Sequence, residues 1–93
     1  MDKIEAKEIL AQQISRLRAL EYSELCRLIK DPEQLEVTSE SGAWYQLEIQ
    51  AWWDDKSERN LRVLVSIDDG GWRAIVPLTD DFIVAPDGSF VGE

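Results

Sequence analysis

Between Lys3 and Leu20 the apolar residues Ala6, Ile9, Leu10, Ile14, Leu17 and Leu20 recur at helical spacing, with no glycine or proline among them. Residues three and four apart share a helix face, so this segment predicts an amphipathic helix with a single apolar stripe. The phase slips at Glu21, where Tyr22-Ser23 offers an N-cap for a second short helix running from Glu24 to Ile29. Pro32 stops it, because the residue before a proline is pushed out of the helical region and Asp31-Pro32 favours a turn.

Beyond Pro32 the apolar period falls from 3.6 to two, the signature of half-buried strands. Leu35 and Val37 alternate with Glu36 and Thr38, a polar turn follows over Ser39 to Gly42, and Trp44 to Trp53 then reads as a long amphipathic strand. Asp54 to Asn60 is loop-like, and Leu61 to Ile67 is a strand rich in β-branched residues. Asp69-Gly70 predicts a two-residue hairpin turn, with Trp72 to Val76 returning and Pro77 marking a strand end. Phe82 to Ala85 is a candidate last strand, Pro86-Asp87-Gly88 a turn, and Ser89 to Glu93 a frayed or lightly docked end.

A register follows from these turns. The Asp69-Gly70 hairpin sets Ile67 opposite Trp72, Val65 opposite Ala74, Val63 opposite Val76 and Leu61 opposite Leu78. Folding back at Asp54 to Asn60 sets Trp53 opposite Leu61, Ala51 opposite Val63, Ile49 opposite Val65 and Leu47 opposite Ile67. Every pair on this face is apolar. The expected fold is therefore α+β in one domain: a helix or helical hairpin over residues 1–31, packed on one face of an antiparallel meander of four to five strands over residues 33–85, with a tail at 86–93.

The opposite face collects Trp44, Gln46, Glu48, Gln50, Trp52, Arg62, Leu64, Ser66, Arg73 and Ile75. In this register Leu64 and Ile75 are neighbours and Trp52 lies diagonal to Leu64, an apolar patch rimmed by Glu48, Arg62 and Arg73. Three arrangements satisfy such a patch: internal burial, by curling of a strongly twisted sheet or by the chain's own segment through Phe82 and Phe90; a homodimer interface; or a site for another protein or a small ligand. Trp44 and Trp52 with interleaved polar residues also suggest a platform for a carbohydrate.

Composition narrows the chemistry. With 93 residues, 44% of them hydrophobic and 31% charged, the chain can bury one modest core and is unlike a disordered tail. Its one cysteine, Cys26, forbids an internal disulfide and is expected to face inward, and the charged start at Asp2-Lys3-Ile4-Glu5 differs from a secretion signal, so a cytoplasmic setting is expected. No apolar run approaches the roughly 20 residues of a membrane span. The net charge is −9, with six acids and six bases in residues 1–32 against thirteen acids and four bases in residues 33–93. Such a surface repels phosphate and favours basic partners, disfavouring nucleic acid.

With no histidine and a single cysteine, the usual general base and zinc ligands are missing, so no cofactor, metal or enzymatic activity is expected. The pairs Asp54-Asp55, Asp68-Asp69 and Asp80-Asp81 could group carboxylates for a hard cation but read first as turn formers. The expected role is a non-enzymatic protein-interaction domain using the outer sheet face, as a homodimer or with a partner that prefers negative charge; a carbohydrate module and an acidic inhibitor or immunity-like protein are the alternatives. Leu61-Arg62-Val63 and Ser66 to Arg73, followed by Val76 to Phe82 and Ala85 to Phe90, resemble a small bacterial family of uncharacterised acidic domains, which implies a bacterial origin and supplies no activity.

Overall fold

The first helix, α1, spans Lys3–Arg18 and starts where the Asp2 carboxylate accepts hydrogen bonds from the backbone N–H groups of Ile4 and Glu5, at 3.0 and 3.1 Å. The computed structural model describes residues 2–69 and 78–93. The helical stripe is real: Ala6, Ile9, Leu10 and Leu17 are buried, and Ile14 and Leu20 pack at its margin. Helix α2 covers Tyr22–Cys26 and runs into a 3-10 turn over Arg27–Ile29. It begins two residues earlier than the expected start at Glu24. Glu21 is the N-cap, and the Glu24 carboxylate reaches back to the Glu21 N–H at 3.4 Å, so a reciprocal glutamate pair replaces serine at the cap.

Strands β1 (Glu33–Thr38), β2 (Trp44–Trp53), β3 (Leu61–Asp68) and β4 (Leu78–Val84) form an antiparallel meander in the order β1-β2-β3-β4. The expected α+β architecture is what forms, with α1 lying over β3 and β4. The β2–β3 register is the one the alternation implied: Trp53 opposite Leu61, Ala51 opposite Val63, Ile49 opposite Val65 and Leu47 opposite Ile67. All of these except Trp53, which is half-buried, are buried against the helices.

The partner of β3 on its other side differs from expectation. Leu78–Val84 pairs with it, setting Leu78 opposite Ile67, Phe82 opposite Val63 and Val84 opposite Leu61. Leu61 therefore does not face Leu78, and Val63 and Val65 meet Phe82 and Asp80 where Val76 and Ala74 were expected. The Asp69-Gly70 turn and the Trp72 to Val76 strand fall on the segment outside the described residues. The reason for the β4 pairing lies in the core. It buries Phe82 and Val84 on the α1 side, and Phe90 packs against Phe82 edge to face with ring centroids 5.7 Å apart. An Asp-Gly turn is a local preference, whereas burying these large side chains under α1 is worth on the order of 2 kcal/mol each.

The tail is docked. After the turn at Gly88 (φ 88°), Phe90 bridges to Val84 and the Val91 N–H donates to the Ile83 carbonyl at 2.9 Å. Arg18, at the end of α1, lies 3.8 Å above the Phe90 ring and donates two hydrogen bonds to the Glu93 carboxylate, at 2.9 and 2.6 Å. At the other end of α1, one carboxylate oxygen of Glu5 accepts from the hydroxyls of Tyr45, Ser39 and Ser41 at 2.8, 2.9 and 3.0 Å. These hydroxyls, the Tyr45 phenol foremost, hold the Glu5 carboxyl below its ordinary range. The same carboxylate pushes the phenol up to about 12. The helix start is thereby fastened to the β1–β2 turn.

Candidate interaction surface

Strand alternation leaves one face of the sheet turned away from the helices. Across the strands its rows read Trp52, Arg62 and Ile83; then Gln50, Leu64 and Asp81; then Gln34, Glu48, Ser66 and Thr79; then Glu36, Gln46 and Asp68; and finally Thr38 and Trp44. Trp44 and Trp52 are exposed, at 39% and 41%, while Leu64 and Ile83 are half-buried. The tail does not fold over this face. Phe82 is buried beneath the helices and Phe90 packs on it there, so intramolecular cover by those two rings is excluded.

Of the residues expected on the patch, Trp44, Glu48, Trp52, Arg62 and Leu64 lie on this face, and Trp52 is diagonal to Leu64 as the register implied. Arg73 and Ile75 fall outside the described residues. The neighbour of Leu64 on β4 is Asp81, not Ile75, as the shifted partner strand requires. Ile83, opposite Arg62, instead supplies the apolar β4 position beside Trp52 and Leu64. The alternation of Leu78, Phe82 and Val84 with Thr79, Asp81 and Ile83 carried the signal that these residues form a two-sided strand.

Arg62 sits in the apolar row between Trp52 and Ile83, and its guanidinium reaches two carboxylates outside that row. It pairs with Asp54 at 2.8 Å and with Asp81, and the hydrogen bonds it donates to these two carboxylates, that to Asp54 foremost, hold its guanidinium more firmly protonated. The acidic pairs therefore do not assemble into a cation cage: Arg62 stands between Asp54 and Asp81, and the Asp55 carboxylate accepts the Arg59 and Asn60 N–H groups at 3.0 and 3.3 Å. Among the described residues no group of three or more acidic or thiol side chains is placed to hold a metal ion.

Toward the middle of the face, Gln34, Gln46, Glu48, Ser66 and Asp68 line a polar hollow of about 210 Å³. Gln50 donates to Glu48 at 2.5 Å, orienting that carboxylate. The two outer tryptophans stand at opposite ends of β2, roughly 26 Å apart at about 3.3 Å per residue, so they do not form one stacking platform. On the described outer face Glu36 and Glu48 accompany Asp68 and the Arg62–Asp81 ion pair.

Among the described residues no helix is long and apolar enough to cross a membrane. No protein-family model, curated protein or solved structure matches the chain.

Proposed function

We propose that this chain is a non-enzymatic binding domain that docks a basic protein surface on the open face of its sheet. The observation that carries this reading is the make-up of that face, where an apolar corner of Trp52, Leu64 and Ile83 adjoins a polar hollow containing Glu48, Gln34 and Gln46. The apolar corner supplies the desolvated anchor that interfaces need, and the hollow has the size and acceptors to receive a lysine or arginine side chain. A second copy of the chain suits the face less well, because a two-fold interface would set Glu36 and Glu48 of one protomer against the same carboxylates of the other.

The test compares the native chain with Leu64→Lys, which leaves the buried face untouched. Proteins retained by the native chain at low salt should be lost with Leu64→Lys and should elute as salt rises, since the charged contacts are screened. Light scattering across a dilution series should show a monomer. Retention indifferent to both Leu64→Lys and salt defeats the reading, and a dimer that Leu64→Glu converts to a folded monomer replaces it with self-association.

A further inference from the structure

On the helix side of the molecule, away from the outer face, a groove of about 400 Å³ opens between the helical turn at residues 26–31 and the end of β2. Its walls are Cys26, Ile29 and Trp53, and its remaining lining is Arg27, Lys30 and Asp31. Trp53 points here because it follows Trp52 on β2: the pleat sends adjacent side chains to opposite faces, so one tryptophan serves each side of the sheet. Arg27 and Lys30, three residues apart, share one side of the helical turn.

We infer that this groove is a binding site for a small apolar monocarboxylate with an aromatic or branched body. Volume and lining match what small ligands require, namely a few hundred Å³ of mostly apolar wall with a small number of fixed polar groups. The tryptophan offers a flat face for the body of the ligand, and Ile29 lines the same groove. Charge selects the head group. On a chain of net charge −9, this groove carries two cations against one carboxylate, so it is a place where an anion is locally favoured. A neutral apolar compound would gain the wall contacts only, and a cation would meet Arg27 and Lys30.

Cys26 provides the readout. It is the chain's one thiol, it lines the groove and it is half-buried, so an occupant should shield it from the neutral alkylating agent iodoacetamide. The probe is 4-phenylbutyrate, with 4-phenylbutanol as its uncharged counterpart and alkylation followed by mass. The acid should slow alkylation saturably, roughly tenfold at ten times its dissociation constant. The alcohol should bind about fivefold more weakly, and Arg27→Gln/Lys30→Gln should weaken the acid by a similar factor while leaving the alcohol unchanged. Both substituted side chains are exposed, and each variant is referenced to its own unliganded rate and thermal midpoint. No saturable protection at millimolar 4-phenylbutyrate overturns the proposal, as does equal protection by acid and alcohol or an unchanged affinity in the double variant.

Discussion

Replacing Phe90 by alanine tests whether the last residues of the chain are part of the core or an ornament on it. Fully buried phenylalanines cost about 3–5 kcal/mol on truncation to alanine; Phe90 is half-buried, which scales this to about 2 kcal/mol. The edge-to-face pair with Phe82, at 5.7 Å, adds about 0.5–1 kcal/mol. The sum, about 2–3 kcal/mol, is a large share of the roughly 5–14 kcal/mol expected for a domain of 93 residues. Phe90→Ala should still fold, with a thermal midpoint lower by roughly 10–20 °C and a lower urea midpoint at unchanged slope. Glu93→Gln removes the charge that Arg18 grips but leaves the ring in place, and because that ion pair is solvent-exposed its effect should be far smaller. Urea titrations of the two variants side by side decide the matter. If Phe90→Ala costs less than about 0.5 kcal/mol, or no more than Glu93→Gln, the tail does not stabilise the sheet and the account of why β4 pairs with β3 fails with it.

The remaining predictions concern other parts of the fold. Leu47→Ala, at a fully buried position of β2, should cost about 2–5 kcal/mol in urea denaturation, with the cavity left behind setting the position within that range. Asp2→Ala removes the side-chain cap of α1 and should cost about 1 kcal/mol by the same assay. The Glu5 carboxyl is held below its ordinary value of 4.5, and those of Asp55 and Asp87 below 3.8. Their contribution is present above those values and should be lost as pH falls through the lower folded values, a loss blunted in Glu5→Gln when thermal midpoints are followed below pH 4.5. The Tyr45 phenol, raised from 10.0 to about 12, works in the opposite direction. Its stabilisation is complete below pH 10 and fades as pH rises toward 12, so native and Tyr45→Phe chains should converge across that interval.

The sequence by itself determined the elements whose apolar residues repeat with a clear period. The α1 stripe, the long β2 strand and the β2–β3 register were all legible, because two amphipathic strands with matching apolar faces and a short polar loop between them have one register that buries every inward residue. The helical half and the strand half were likewise separated by the change of period at Pro32. For the candidate surface, alternation alone placed Trp44, Glu48, Trp52, Arg62 and Leu64 on the outer side.

Tertiary structure decided what local signals left open. An Asp-Gly turn ranked the segment after it as the partner of β3, yet the partner is Leu78–Val84, because that choice buries Phe82 and Val84 under α1 and brings Phe90 onto Phe82. This substitution of strands put Asp81 and Ile83 beside Leu64 and Arg62, and so set the chemistry of the outer face. The Glu5 contacts to Ser39, Ser41 and Tyr45 join residues 34 to 40 positions apart, and Arg18 meets Glu93 across 75. No periodicity or short motif encodes such pairs. They exist because helix packing brings the two ends of α1 against a turn and a tail that the chain reaches much later.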